Sequence, residues 1–351
     1  MTFFTGFRTR PRRALAGLAL TAALTTALAA CGGADDSTSS GSDGASADGA
    51  IKLGLTAYAV PKPGFDKLIP AFQKTAAGKD VSFEQSYGPS GDQSRKVEAG
   101  LDTDIVNFSV TPDITRLVKA GLVAEDWNAG EHKGIPFGSV VTIVVRDGNP
   151  KGIKDWDDLL KPGVEVVTPN PFSSGSAKWN LLAPYAVKSN GGKDAAAGTA
   201  YISKLVGDHV KVQPKSGREA TETFLQGTGD ALLTYENEAL FIEGEGEEVE
   251  HITPPGTFKI ENPIAVLKNS KHAEQAKAFL DFSYSAEGQK LWAEAGFRPV
   301  DTTVAEEFAD KFPDPAKLWT IDDLGGWSEV DAKLFDADNG SIAKIYDEAT
   351  S

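Results

Sequence analysis

From residue 51 onward, short β-branched runs alternate with stretches of helical spacing, and this alternation limits the fold more than any other feature. Ile51-Lys52-Leu53-Gly54-Leu55 has the period of two expected of a half-buried strand. Phe65, Leu68, Ile69 and Phe72 then recur at helical spacing within 65–74, and Val81-Ser82-Phe83 starts a second strand. Residues 105–108 read as a strand, and 113–120 as a helix capped by Thr111 or Asp113. Val140 to Arg146 is a continuous β-branched run ended by the turn signal Asp147-Gly148-Asn149-Pro150. Residues 164–168 predict another strand and 178–188 another helix. Such alternation predicts α/β lobes built on mainly parallel sheets. Between Lys271 and Phe297 two helices are expected. Ala276, Phe279, Leu280 and Tyr284 would form one apolar face and Leu291, Trp292 and Phe297 the next, all as core. Residues 302–351 predict a mostly helical appendage with a turn at Gly325-Gly326-Trp327.

The segment before this fold has a different character. Arg8, Arg10, Arg12 and Arg13 form a basic start, residues 14–30 carry no charge, and Leu28-Ala29-Ala30 precede Cys31. This is the three-part layout of a secretory signal. A cysteine directly after the small residues resembles the lipobox of bacterial lipoproteins, with Cys31 as the lipidated first residue after removal of 1–30. An unmodified lone cysteine is the alternative. Residues 31–50 are small and polar beyond Cys31, without an aromatic, and read as a flexible tether.

Composition narrows the partners. Residues 1–30 hold four arginines and no acid, so of the net charge of −15 the remaining 321 residues carry −19. That acidity disfavours nucleic acid and anionic membrane surfaces. With one cysteine no disulfide forms within the chain, so stability must come from packing. The length suffices for two lobes with real cores. No later segment reaches the roughly 18 apolar residues of a membrane span. A lipid-anchored protein outside the membrane, away from ATP, is suited to catching a solute rather than to cofactor chemistry.

Little in the chain points to catalysis. The four histidines (His132, His209, His251, His272) have no metal-ligand spacing, and no metal or cofactor is expected. No nucleophile elbow, Walker loop or dinucleotide fingerprint occurs. Three Ser/Gly segments do stand at predicted strand-to-helix junctions: Gln85 to Gly91, Pro169 to Asn180 and Lys215 to Thr221. Free N–H groups at helix starts attract negative charge, glycines admit an oxyanion to the backbone, and serines add hydroxyl donors. Serine and glycine also serve there as plain caps, so each segment alone is a weak sign of an anion site.

Longer stretches carry a family resemblance. QSYGPSG (85–91), VVRDGNPKGIKDWDDLLKPGVEVVTPNP (144–171), SSGSAKWN (173–180) and GDALLTYENEAL (229–240) resemble the bacterial sulfate-binding proteins of sulfate/thiosulfate ABC transporters. YSAEGQKLWAEAGFRP (284–299) and GGW (325–327) extend the likeness over about 51–327. The resemblance implies a two-lobe periplasmic-binding-protein-like α/β fold of type II, with the ligand in the cleft between lobes. It also implies a membrane permease as partner, and a sulfate dianion held by neutral donors without a contacting cation. Carried onto this chain, it implies hydroxyl donation from Ser90 and Ser174, and backbone N–H donation from Gly175, Ser176 and Gly217.

This chain departs from the family pattern in three places. Ser176 stands where a second glycine is usual, which preserves the backbone donor. Tyr235 stands where a tryptophan donates its indole N–H, so a phenol would donate instead or simply fill the core. Tyr58-Ala59-Val60-Pro61 replaces a loop with aspartate before proline and is one residue longer, leaving the donor as Ala59 or Val60. Arg218 would bind a backbone group or a carboxylate behind the anion, or lie on the surface. The expected organisation is a signal at 1–30, a tether at 31–50 and lobe one at 51–140 plus 262–301. Lobe two would be 141–261, and the C-terminal helical segment 302–351. Thiosulfate, molybdate or tungstate are alternative ligands, and a secreted serine hydrolase using Ser90 or Ser174 is a different class of reading.

Overall fold

The computed structural model describes residues 51–350. Cys31, the signal and the tether lie outside the described residues. In chain order the elements begin β1 (Ile51–Tyr58), α1 (Lys62–Phe72), β2 (Val81–Gly88), α2 (Ser90–Glu98), β3 (Ile105–Asn107) and α3 (Thr111–Lys119). Next come β4 (Phe137–Arg146), β5 (Val166–Val167), α4 (Gly175–Lys188), α5 (Ala195–Lys204), β6 (Val210–Val212) and α6 (Gly217–Leu225). Then follow β7 (Ala231–Tyr235), α7 (Glu236–Gly244), β8 (Val249–Ile252), β9 (Gly256–Glu261) and β10 (Ile264–Val266). The chain continues through α8 (Ala273–Tyr284), α9 (Ala286–Glu294), β11 (Arg298–Pro299) and β12 (Lys317–Trp319) before a last helix, Ser341–Thr350.

Two sheets organise these elements. The smaller has the order β10-β3-β1-β2, with β1 parallel to both β2 and β3 and β10 antiparallel. The larger runs β12-β9-β4-β7-β5-β6, with β8 and β11 also pairing with β4. There β5 is parallel to β6 and β7, and β12 to β9. β4 is antiparallel to β7, β8, β9 and β11. The expectation of mainly parallel sheets therefore holds for the smaller sheet and fails for the larger. The ten-residue β4 is the cause: it is long enough to take partners on both edges along different parts of its length.

Side-chain alternation places cores on both faces of each sheet. Along β3, Ile105 joins the core containing Phe65, Phe72, Phe279 and Trp292, whereas Val106 faces Ile114 and Leu117 of α3. Along β7, Leu233 and Tyr235 take the main core, and Leu232 packs with Phe224 and Ile242. Burial on both faces explains why β4 is almost continuously apolar. Of the residues expected as core between Lys271 and Phe297, Ala276, Phe279, Trp292 and Phe297 are buried, whereas Leu280, Tyr284 and Leu291 are half-buried.

Two local expectations need correction. The helix at 111–119 has Val110 as its N-cap, and neither Thr111 nor Asp113 caps it, because both lie inside the first turn. The C-terminal segment is not wholly helical, since β12 adds a parallel strand beside β9. Gly325 and Gly326, at φ 88° and 85°, do make the expected turn. The chain crosses between the sheets where β9 leads through Asn262 and Pro263 into β10. There Asn107 Nδ2 and Phe108 N both donate to Pro263 O at 2.9 Å. No helix among the described residues is long and apolar enough to cross a membrane.

Candidate functional site

The helix starts singled out in the sequence come together where the loops of the two sheets meet. α2 begins at Ser90 and α4 at Gly175, while α6 begins at Gly217 and α7 directly after Tyr235. The first N–H groups of a helix have no partner within it, so each start presents free donors. Gly91 N–H donates across to Ser173 O at 3.2 Å, which ties the start of α2 to the loop before α4. A Cβ built on Gly217 would lie 3.0 Å from Ser176 Oγ and 3.2 Å from Val60 Cγ2, so Val60, Ser176 and Gly217 are mutual neighbours. A Cβ on Gly175 would lie 2.7 Å from Ser109 Cβ. In each case a side chain would occupy the space that lets backbone approach.

The individual donors differ in how free they are. Ser174 is the N-cap residue of α4, yet its hydroxyl makes no capping hydrogen bond, and its N–H is taken by Asn170 O at 2.9 Å. At α6 the cap is conventional, with Ser216 Oγ accepting from Glu219 N, and Gly217 is buried at the helix start. Val60 is buried and Ala59 partly exposed; Ala59 O accepts from Lys62 N at 3.3 Å. Ser90 departs from expectation. Its Oγ donates to Asp113 Oδ2 at 2.6 Å and accepts from Ser109 N at 2.9 Å, so its proton is committed within the protein. Tyr235 is fully buried, with its phenol 2.7 Å from Ser109 Oγ. Arg218 reaches a carboxylate: its Nη2 lies 3.2 Å from Glu238 Oε2, and its guanidinium carbon is 4.7 Å from the Phe241 ring centre.

Sequence reasoning missed Ser109, Asp113, Asn262, Trp179 and Glu238. Ser109 is the centre of the group. Besides Ser90 and Tyr235, its carbonyl accepts from Trp179 Nε1 at 2.8 Å and Asn262 Nδ2 at 2.9 Å. One signal could have found it, because ligands of α/β sheets bind outside the carboxyl ends of strands and Ser109 follows β3. Nothing local marks the others.

Burial sets the protonation of the site. It pushes the Asp113 carboxyl up, against the Ser90 hydrogen bond and the charges of Lys178, Arg116 and Arg95. Burial likewise raises Glu238 against the pull of Arg218, and neither Glu238 oxygen has an aligned hydrogen bond among the described residues. The Tyr235 phenol is also pushed up by burial, opposed by Ser109, Ser176 and Asn262, so it keeps its proton at neutral pH.

A cavity of about 100 Å3 opens beside Ser174 and Gly175, with Arg95, Asp113, Arg116 and Lys178 on its wall. A larger one, about 910 Å3, lies along β4, β9 and β11 near the C-terminal segment. Its charges are of mixed sign, including Lys259, Arg298, Glu131 and Asp314, and Arg298 is already held by Glu236. None of the expected donors lines it, and of them only Ser174 and Gly175 line the smaller cavity, beside Arg95, Arg116 and Lys178. The described residues hold no group of three or more metal-ligating side chains. His209 bonds Val164 O and His251 bonds Glu243, whereas the Ser90 hydroxyl is bonded to a carboxylate and an amide rather than an imidazole.

The donors left without a partner at these helix starts, with the uncapped Ser174 hydroxyl, are chemistry suited to an anion. Comparison with known proteins shows the family. A sulfate-binding protein of Synechococcus elongatus is 38% identical over 344 residues, covering 95% of this chain and 96% of its own. A thiosulfate-binding protein of Pseudomonas aeruginosa is 35% identical over 318 residues, covering 86% and 94%. The sulfate-binding protein SubI from Mycobacterium tuberculosis H37Rv superposes with a TM-score of 0.80 at 62% identity, covering 82% of this chain and all of that one. Residues 53–298 match the family described as bacterial extracellular solute-binding protein. The chain belongs to that family, among the relatives of its sulfate-binding proteins, with their two-lobe α/β fold.

Proposed function

We propose that this protein is the extracytoplasmic receptor of an ABC importer for sulfate. It closes its lobes on the dianion and hands it to a membrane permease. The convergence of the α2, α4 and α6 starts, one from the smaller-sheet side and two from the larger, carries this reading. Donors would be Ala59 or Val60, Ser90, Ser174, Gly175, Ser176, Gly217 and Tyr235. The lobes would divide as 51–140 plus 262–301 and 141–261, braced by 302–351. Lipid on Cys31 would hold the protein at the membrane. No covalent step is involved.

Sulfate at neutral pH carries no proton, so donors alone satisfy it. Phosphate retains a proton that needs an acceptor, and an unmatched one costs about 1–3 kcal/mol in a closed cleft. The net charge of −19 does not oppose this, because it is screened beyond about 8–10 Å whereas the donors act at contact. The test is calorimetric titration in sulfate-free buffer with sulfate, thiosulfate, molybdate and phosphate. One-to-one sulfate binding with phosphate excluded is expected, and silence toward sulfate would refute the proposal. Ser174→Ala is expected to weaken sulfate about tenfold, the loss of one charge-assisted hydrogen bond. Tyr235 in place of tryptophan favours one second reading, a thiosulfate receptor, which the same titration separates.

Asp113 makes the affinity depend on pH. When ionised, it holds the Ser90 proton. When neutral, its own O–H points at Ser90 Oγ and the Ser90 proton turns to the anion. Burial already favours the neutral form, and a neighbouring dianion favours it further. Sulfate affinity is therefore expected to rise as pH falls through the Asp113 titration. Asp113→Asn, which presents an amide N–H to Ser90, should bind at least as well and lose that slope. An unchanged slope in the variant, measured between pH 5 and 8, would sink the idea.

A further inference from the structure

We infer that Ser109 is the positioning residue of the anion site: its hydroxyl holds the Tyr235 phenol across the gap between the two sheets and aims the phenol proton. The inference deepens the sulfate reading and rests on it, since it requires Tyr235 to face the anion.

Ser109 follows β3 in the smaller sheet, whereas Tyr235 ends β7 in the larger. Their hydroxyl oxygens are 2.7 Å apart and buried. The backbone of Ser109 is already engaged. Its N–H goes to Ser90 Oγ, and its carbonyl accepts from Trp179 and Asn262. These three bonds do not depend on the side chain and fix where the side chain stands. The hydroxyl is then the only part of Ser109 free to act, and the phenol is its partner.

Two hydroxyls in contact have one proton to spare. If Ser109 donates to the phenol oxygen, the phenol proton is released to point at the anion, and a phenol acceptor position is filled within the pair. The pair thus presents one donor to the anion. An acid proton such as that of hydrogen phosphate would find the phenol lone pair already used. Contact with Gly175 adds a second tie, because the absent Cβ at that position lets Ser109 close against the start of α4. One residue therefore touches Ser90, Gly175 and Tyr235, three of the proposed donors, from the sheet opposite two of them.

The experiment is a double-mutant cycle on the full chain, with sulfate titrated by calorimetry into the parent, Ser109→Ala, Tyr235→Phe and the double variant. Ser109→Ala is expected to cost about tenfold in affinity and to narrow the preference for sulfate over phosphate. The double variant is expected to bind like Tyr235→Phe alone, because without the phenol Ser109 has nothing to aim. Effects that multiply in full would overturn the inference. So would a Ser109→Ala variant with parental affinity while Tyr235→Phe is impaired. If Tyr235→Phe binds sulfate normally, the anion-facing role of Tyr235 fails first, and the inference falls with it. Thermal melting of the free proteins checks folding. If neither Ser109→Ala nor Ser109→Gly folds, the hydroxyl serves the core and the inference is likewise overturned.

Discussion

Gly175→Ala is expected to leave the protein folded while sulfate affinity falls by about ten- to a hundredfold. The added Cβ would stand 2.7 Å from Ser109 Cβ, 2.8 Å from its Oγ and 3.2 Å from Val110 Cγ1. Ser109 cannot retreat, because its N–H and carbonyl are pinned by three hydrogen bonds. Overpacking of this kind costs about 1–3 kcal/mol, and each 1.4 kcal/mol is tenfold in binding. The helix itself does not suffer, since alanine is a better helix former than glycine. The cost therefore falls on closure of the two sheets' loops rather than on either core. Calorimetry and a thermal melt of the free protein separate the two effects. Parental affinity in the variant would mean that Gly175 and Ser109 do not meet when the anion is bound.

Arg218→Ala is expected to act on stability instead, at about 3 kcal/mol near neutral pH. Glu238 has 1% of its side chain exposed, and Arg218 Nη2 at 3.2 Å is the cation that faces it. Removing one member of a buried ion pair costs about 3–5 kcal/mol. The low end applies because Arg218 is itself 22% exposed. Burial already raises Glu238, and loss of Arg218 raises it further. A carboxyl whose folded pKa lies above its unfolded value binds more protons when folded. Its contribution is complete below the unfolded pKa and is lost as pH rises through the folded one. The deficit of Arg218→Ala should thus shrink toward pH 5, and Glu238→Gln in the same chain should recover most of it. Melting curves of the two variants across pH 5–8 decide the matter. Equal melting of Arg218→Ala and the parent would show that Glu238 is neutral in both.

These two expectations divide along what could be read in advance. The helix starts at Gly175 and Gly217 were legible because helix-start chemistry is local. A helix leaves its first N–H groups without a partner of its own, and serine and glycine at those positions announce it within a few residues. The same holds for the strands, written in the period of two of Ile51–Leu55 and in the continuous β-branched run of β4. The sequence left Arg218 open between a carboxylate, a backbone group and the surface, and its carboxylate partner twenty positions on was not readable.

The sequence by itself determined the alternation of strands and helices, the helix starts rich in neutral donors, and the scarcity of catalytic groupings. These depend on backbone preferences and side-chain chemistry over spans of ten residues or fewer. Tertiary structure alone decided which donors meet and which protons are spent. The bond between Ser109 and Tyr235 spans 126 positions, those from Trp179 and Asn262 to Ser109 span 70 and 153, and the hydrogen bond that Ser90 donates to Asp113 spans 23. Such contacts follow from how two sheets pack and cross at Asn262, and no local propensity encodes that distance. The antiparallel pairing of β4 and the late strand β12 were hidden for the same reason. A strand's own residues set that it is extended, whereas its neighbours in space set its direction.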